Sequence, residues 1–352
     1  MPATEPPLPT IEDVAAAAGV STATVSRVFN RPETVREALR RKVEAAVTRL
    51  GYVPHAGARA LMLRRSGTVG AIFPTVDNAI FAKAIDALQR RLAERGMQLL
   101  LATSDYDPDT EARQALNLLT CGVDALVFCG CAQRPDLLQR LRQRGVPMVH
   151  VMSWPAPDEV VTVGFDNARA MGQVVRYLLD LGHRRIAMLA GITRDNDRAA
   201  ARVAGVRAAL AAAGVELPDS RIVERKYSLA AARDGLRALV RARPAPTAVI
   251  CGNDVLAFGA LLEAQRSGID VPGQLSIVGF DDLELAAHVH PALTTVRVPA
   301  DEMWRMAADR VIDALRGIDV QHATEIEVAL VVRESTAPPP AARRPGRSER
   351  ST

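Results

Sequence analysis

Residues 10–30, Thr-Ile-Glu-Asp-Val-Ala-Ala-Ala-Ala-Gly-Val-Ser-Thr-Ala-Thr-Val-Ser-Arg-Val-Phe-Asn, constrain this chain more than any other stretch, because their pattern fits two short helices around a tight turn. Thr10 is placed to cap the first helix, with Asp13 completing a shortened capping box. Ile11, Val14, Ala15 and Ala18 then share one apolar face. Gly19 falls where a left-handed residue closes a helix at least cost, Val20 plugs the turn, and Ser21 caps the second helix. There Val25, Val28 and Phe29 form the buried side, which leaves Thr22, Ala23, Ser26 and Arg27 outside. A face of small polar groups with one arginine suits a recognition helix entering a major groove. The same pattern also fits an ordinary helical hairpin, so the rest of the chain has to decide.

Charge supports the nucleic-acid reading. The net charge of +4 divides unevenly: residues 1–66 carry ten basic and six acidic side chains, residues 67–340 carry 30 and 33, and the last twelve carry four and one. A basic amino-terminal module on a mildly acidic body is the footprint of a small polyanion-binding unit attached to something that does not itself bind DNA. With 352 residues, 48% hydrophobic and 24% charged, the chain is long enough for two or three domains with proper cores. Four cysteines, Cys121, Cys129, Cys131 and Cys251, make no disulfide framework, and Cys129 and Cys131 lack a second ligand pair for zinc. They read as reduced core or cleft thiols, no metal or cofactor is expected, and with no export signal or transmembrane run the expected compartment is the cytoplasm.

After a loop at residues 30–33, a third helix over Val35–Leu50 buries Leu39, Val43, Ala46, Val47 and Leu50 and closes at Gly51. Residues 54–66 follow as a linker in which Pro54 opens a helix of barely two turns, weakened by Gly57. A segment that folds only when supported is a candidate hinge. From Thr68 short apolar strands alternate with helices of 10–15 residues, which implies parallel, doubly wound sheets. The expected strands are Val69–Phe73, Leu99–Thr103, Ala125–Cys129, Met148–Met152, Val160–Phe165, Ile186–Ala190, Ala248–Cys251, Ser276–Phe280 and Ile326–Val332. About 270 residues exceed one ordinary sheet, so two lobes with a cleft between them are expected, and ligands of such sheets sit at the strands' carboxyl ends. The fold class is thus a small all-α helix-turn-helix headpiece plus an α/β body of two doubly wound parallel-sheet lobes. The domains are expected at 10–53 (headpiece), 54–66 (hinge) and 67–336 (body), with loose tails at 1–9 and 337–352. Within the body one lobe takes about 67–166 and 296–323, the other about 167–295 and 324–335.

Seven motifs in order then carry a resemblance: Asp13-Val-Ala…Gly19-Val-Ser…Thr24-Val-Ser-Arg-Val; Gly51-Tyr-Val-Pro…Ala58-Arg-Ala-Leu; Gly182-His-Arg-Arg-Ile-Ala; Arg202-Val-Ala-Gly; Cys251-Gly-Asn-Asp; Gly279-Phe-Asp-Asp; and Pro291-Ala-Leu-Thr-Thr-Val. Over Thr10 to about Ser335 the chain resembles the lactose/galactose-repressor family of bacterial transcription regulators, and Val163-Gly-Phe-Asp-Asn is similar to its gluconate-type branch. The resemblance implies that Thr22, Ala23 and Arg27 read bases, with Arg27 able to reach guanine O6 and N7. It implies phosphate contacts from Thr10, Ser21, Thr24, Ser26 and Asn30, a backbone anchor at Tyr52, and a minor-groove wedge at Leu61. Thr24 and Asn30 also suit helix termini, and Leu61 also suits packing on the body. Arg36 stands where many members have a small cap, and Gly57 departs from a stable hinge helix.

For the body the resemblance implies a periplasmic-binding-protein-like fold holding a small effector between its lobes. Arg202 and Asp281 are the expected hydrogen-bonding pair, joined by Asn253, by Tyr227 as an aromatic platform, by Phe81 closing the pocket, and by Asp166 and Arg198. A sugar, a sugar acid or a purine-like ring fits that set, and an anionic ligand would suit the arginines. The implied partners are a pseudo-palindromic double-stranded operator, the effector and a second copy of the chain in a homodimer, with no membrane. The implied function is that of an allosteric repressor and not an enzyme. Two rival readings fit the sequence less well. A solute-binding protein would lack the basic headpiece, and a dehydrogenase or kinase would show G-x-G-x-x-G after the first strand, a P-loop or H-E-x-x-H, none of which occurs. His183, His288 and His290 have no evident nucleophile or metal partner and read as surface or structural residues.

Overall fold

The structure is a computed structural model that describes residues 8–53, 65–154 and 160–340. The chain divides into a unit over residues 1–67 and a second from Thr68 onward. In the first, α1 (Ile11–Ala18), α2 (Thr22–Asn30) and α3 (Glu37–Leu50) enclose a core of Val14, Ala15, Val25, Val28, Val43, Ala46 and Tyr52. The local chemistry is as expected from the sequence. Thr10 and Asp13 form a reciprocal capping box, Ser21 caps α2, and Gly19 and Gly51 end α1 and α3 at φ of 66° and 63°. One boundary moves: Pro32–Thr34 forms a single 3-10 turn, so α3 starts at Glu37, with Arg36 as a cap that makes no side-chain bond.

The body carries two parallel sheets. The first runs β1 (Thr68–Phe73), α4 (Ala79–Glu94), β2 (Gln98–Thr103), α5 (Pro108–Thr120), β3 (Ala125–Cys129), α6 (Pro135–Gln143), β4 (Met148–Val151) and β5 (Val161–Gly164). The second runs α7 (Asn167–Asp180), β6 (Ile186–Gly191), α8 (Asp197–Ala212), β7 (Ile222–Arg225), α9 (Leu229–Val240), β8 (Ala248–Cys251), α10 (Asp254–Arg266) and β9 (Ser276–Val278). The chain then passes through β10 (Thr295–Arg297), α11 (Ala300–Leu315), β11 (Ala323–Glu325) and β12 (Ala329–Val331). Strand order is β11-β5-β4-β3-β1-β2 in one sheet and β7-β6-β8-β9 in the other, every pairing parallel, while β10 and β12 form an antiparallel pair. Strands buried on both faces explain the continuous apolar runs read from the sequence: β3 and β6 are buried along their whole length.

Three strands were not foreseen. β7 (Ile-Val-Glu-Arg) is a half-buried edge strand, and β10 and β11 are three residues long, too short to show a period. β11 joins the first sheet beside β5, which carries the first lobe to Glu325 rather than 323. The expected loose tail from 337 needs the same kind of correction. Ala337 N–H donates to Ser276 Oγ at 3.1 Å, and the Ala337 carbonyl lies 2.9 Å from His183 Nε2, so the segment is tied to the base of the second lobe. His183 is fully buried there, with Thr247 Oγ1 2.9 Å from its Nδ1, so it is a structural pin. Among the described residues no helix is long and apolar enough to cross a membrane, and no group of three or more His, Cys, Asp or Glu could hold a metal ion.

Candidate functional site

In the headpiece, burying Val25 and Val28 rotates the opposite face of α2 outward, so that Thr22, Ala23 and Arg27 are exposed. The first turn of α2 holds no acidic residue, which leaves the positive end of the helix dipole open to an anion. Arg27, Arg31 and Arg36 are exposed and make no ion pair among the described residues, whereas Arg41 is paired with Glu37 and Arg40 with Glu44. Several expected phosphate contacts already have local partners. Thr10 Oγ1 donates to Asp13 Oδ2 at 2.9 Å, Ser21 Oγ and Thr24 Oγ1 lie 3.0 Å apart, and Tyr52 is 8% exposed with its ring centroid 6.1 Å from that of Phe29. Tyr52 is therefore a core residue of the bundle. The side chain of Asn30, Leu61 and all of residues 54–64 lie outside the described residues.

In the body, residues that follow strands converge on the cleft between the two sheets. Thr75, Asp77 and Asn78 follow β1, Asp105 and Tyr106 follow β2, Met152 follows β4, and Asn196 and Arg198 follow β6. Tyr227, Asn253 and Asp281 follow β7, β8 and β9. This is the carboxyl-end rule of open parallel sheets. The mouth is a cavity of about 530 Å³ bounded by Asp77, Tyr106, Asn196, Lys226 and Tyr227, while the floor between Phe81, Arg198, Arg202 and Asp281 has only about 20 Å³. The lobes are closed on each other. Asp197 Oδ2, on α8, accepts from the Cys131 N–H at 2.9 Å and the Ser153 hydroxyl at 2.5 Å, and Arg198 Nη1 donates to the Cys129 carbonyl at 2.7 Å. Those three bonds join the second lobe to the first.

The floor is polar and densely bonded. Arg202 donates from Nε to Asn167 Oδ1 at 2.8 Å and from Nη1 to the Gly252 carbonyl at 2.7 Å, with its guanidinium carbon 3.8 Å from the Phe280 ring centroid. Asp281 lies 3.9 Å from Arg202 Nη2, is 4% exposed, and its Oδ1 has no hydrogen-bond partner among the described residues. Burial pushes its pKa up to about 7, partly offset by Arg202 and Arg198. Burial and the charge of Asp281 push Asp254 behind it up to about 8. For Asp197 burial also opposes the charge, but Arg198, the Ser153 hydroxyl and the Cys131 N–H hold it below the usual carboxylate range. An unpartnered buried carboxylate oxygen beside two arginines needs an explanation, and a ligand hydroxyl or N–H is a sufficient one.

Of the expected cleft residues, Phe81, Arg198, Arg202, Tyr227, Asn253 and Asp281 line this floor together. Asp166 does not line it: its side chain caps α7 by accepting from the Arg169 N–H at 2.9 Å, and the next residue, Asn167, makes the contact to Arg202. Asn253 also caps α10 through its Oδ1. Sequence reasoning missed Tyr106, whose ring lies 6.0 Å from Tyr227, and the buried pair Glu111 and Gln133 behind it. Asp105-Tyr106-Asp107-Pro108 immediately follows a strand, so the carboxyl-end rule applied strand by strand would have found Tyr106. Among the described residues, five of the six non-glycine residues with positive φ, Asp105, Tyr106, Met152, Asp195 and Asp281, border the mouth or the floor, where backbone strain is commonly concentrated.

Comparison with known proteins agrees with both halves. Residues 10–55 match the model for bacterial regulatory proteins of the lacI family, and residues 66–334 match that for periplasmic binding proteins and the sugar binding domain of the LacI family. The chain belongs to the LacI family. This LacI-family chain is 35% identical to the ribose operon repressor of Escherichia coli (strain K12) over 305 residues, 86% of this chain and 92% of the repressor. It is 32% identical to the HTH-type transcriptional regulator GntR of the same strain over 312 residues, 89% and 93% of the two chains. Among solved structures it is similar to the lac repressor dimer bound to operator and the anti-inducer ONPF, with a TM-score of 0.83, 27% identity, and coverage of 94% of this chain and 100% of that one. As a LacI-family member it is a DNA-binding transcriptional regulator with an effector-binding body, and not an enzyme.

Proposed function

We propose that the protein is a homodimeric repressor acting in the cytoplasm, in which two headpieces read a pseudo-palindromic operator and a small sugar-like or sugar-acid effector bound at the cleft floor sets their affinity. Thr22, Ala23 and Arg27 read base edges, with Arg27 the discriminating group. Thr10, Ser21, Thr24, Ser26 and Asn30 sit at phosphates. Tyr52 acts from within the bundle by holding α3 against α2, and Leu61 is the minor-groove wedge of the hinge. In the cleft, Arg202, Asp281, Asn253 and Arg198 bind the effector's polar groups, Tyr227 and Phe81 meet its apolar face, and Asp166 supports Asn167 through the α7 cap. The expected domains follow from the same reading: headpiece 10–53, hinge 54–66 and a two-lobed body from 67. The orphaned Asp281 oxygen between two opposed parallel sheets is the observation that carries the effector half.

The test begins with selection of bound duplexes from fragmented genomic DNA, followed by fluorescence anisotropy on the recovered sequence. A two-fold symmetric site is expected, with affinity falling steeply as salt rises. Arg27→Ala should weaken binding by roughly 1–3 kcal/mol and relax the preference at one position of each half-site. Recovered fragments without symmetry, or an Arg27→Ala variant with wild-type affinity, would refute the reading.

A further inference from the structure

Two guanidinium groups, Arg198 and Arg202, border the same small cavity at the cleft floor, 7% and 5% exposed. Against them stand Asp281, with one unpartnered oxygen, and Asp197, whose Oδ2 is already bonded to the Cys131 N–H and the Ser153 hydroxyl. Only Asp197 is held firmly ionised. Asp281 loses its proton only near pH 7, and Glu111, on the far side of Arg198, is pushed up to about 7 by burial. With those two groups about half ionised near pH 7 the floor is close to neutral overall, so what matters is which guanidinium donors lack an acceptor, and a buried donor without one is unfavourable until a partner fills it.

Arg198 is shaped for that partner. It crosses from α8 to the end of β3, where Nη1 donates to the Cys129 carbonyl and lies 3.3 Å from Asp197 Oδ1. Its Nε and Nη2 make no hydrogen bond among the described residues, which leaves one two-donor edge of the guanidinium, the geometry that matches a carboxylate. Gly130, at φ 94°, keeps the space, since a Cβ there would stand 1.9 Å from Arg198 Nη1. The other side of the floor suits hydroxyls and the C–H face of a small polyol: Asn253, Arg202 and the free Asp281 oxygen supply polar groups, and Tyr106, Tyr227 and Phe81 supply rings. The mouth is acidic, with Asp77, Asp105, Asp107 and Asp195 against Arg194 and Lys226, but all six are exposed and screened by water and salt. The unpartnered edge of Arg198 acts at lower dielectric than these exposed groups.

We propose that the effector is a monosaccharide-sized hydroxy acid whose carboxylate is held by the free edge of Arg198 and whose hydroxyls are held by Arg202, Asp281 and Asn253. The inference rests on the reading of the cleft as an effector site and adds the charge class of the ligand.

The experiment measures thermal shift and then isothermal titration on the full-length protein at pH 7.5. The probes are gluconate, galactonate, glucuronate and galacturonate, each beside its neutral sugar, with adenine and hypoxanthine as planar controls. The expected result is that at least one acid binds and its neutral counterpart binds at least tenfold more weakly. Arg198→Gln should weaken that acid roughly 10–100-fold, a larger loss than it causes for any neutral sugar that binds. Arg198→Lys, which keeps the charge and loses the fork, should fall between. The comparison of acid with neutral sugar on the wild-type protein needs no variant, so the test survives a misfolded Arg198→Gln. A neutral sugar or purine that binds more tightly than every acid, with its binding lost in Arg202→Ala, overturns the inference and leaves the effector cleft standing. Binding of an acid that Arg198→Gln leaves unchanged also overturns it. If no probe of any class shifts the protein, the inference falls, and operator binding unmoved by an extract of cell metabolites then removes the effector reading with it.

Discussion

Asp281 has a φ of 115°, 4% exposure and one oxygen without a hydrogen-bond partner. Each of these is unfavourable for an aspartate, and together they mark a side chain kept for something other than stability. Its raised pKa near 7, with Asp254 near 8 and Glu111 near 7, makes this testable without any ligand. These groups bind their protons more tightly folded than unfolded, so from about pH 4 upward the native state holds the extra protons and stability falls as pH rises through 7 and 8. Carboxylates held low, such as Asp197 and Asp136, contribute the opposite slope only below about pH 4, so the windows separate. Asp281→Asn should therefore raise Tm at pH 8 by about three times as much as at pH 5, where the folded carboxyl is protonated and only the ionisation of the unfolded chain opposes folding. Differential scanning fluorimetry of the ligand-free protein reads this directly, and an equal gain at both pH values would mean that the carboxylate's charge is not what burial opposes.

At the scale of elements, the long helices and buried strands were legible because their sequences carry a clear period or a continuous apolar run. Ala125–Cys129 and Ala248–Cys251 were bounded to the residue, and Gly19 and Gly51 gave the helix ends. What was not legible depended on partners far along the chain. β11 is a strand only because Gly164 and its neighbours pair with it, and the tail is ordered at Ala337 only because His183 and Ser276 meet it. The same division holds in the cleft: motifs marked Arg202, Asn253 and Asp281, but the placing of Tyr106 against Tyr227 needs both sheets. Helix packing gives an element-scale prediction of this kind. Gly205 lies inside α8, where helix propensity alone favours Ala by about 1 kcal/mol. A Cβ there would stand 2.3 Å from the Ala168 carbonyl oxygen and 2.6 Å from its Cα, which are backbone atoms of α7 and cannot swing aside. Overpacking of about 1–3 kcal/mol therefore wins, and Gly205→Ala should lower the urea midpoint. A Cβ on Gly172, inside α7, would meet only the Arg176 Nη1, at 3.8 Å, so Gly172→Ala should raise the midpoint through a gain of about 0.5–1 kcal/mol in stability. Two changes of the same sign would show that propensity, not the α7–α8 contact, governs these helices.

For the whole molecule the decisive quantity is the difference in effector affinity between arrangements of the two lobes. The floor offers only about 20 Å³ while Asp197 and Arg198 hold the lobes together, so an effector that reaches Asp281 needs a more open arrangement. The free energy of those inter-lobe bonds is part of what the effector works against. Asp197→Ala removes two of them, the bonds from the Cys131 N–H and the Ser153 hydroxyl, and should speed effector association while reducing the factor by which effector changes operator affinity. A change of lobe arrangement is felt at DNA only if operator and effector favour different arrangements, and then the coupling is reciprocal: the factor by which effector alters operator affinity equals the factor by which operator alters effector affinity. For a coupling of about 1–3 kcal/mol that factor is roughly 5–150. Anisotropy of a labelled operator with and without saturating effector, set beside titration of effector with and without saturating operator, measures it twice. The two values should agree in the wild-type protein and shrink together in Asp197→Ala. A large wild-type factor that Asp197→Ala leaves untouched would mean that the lobe contact at the head of α8 takes no part in the signal.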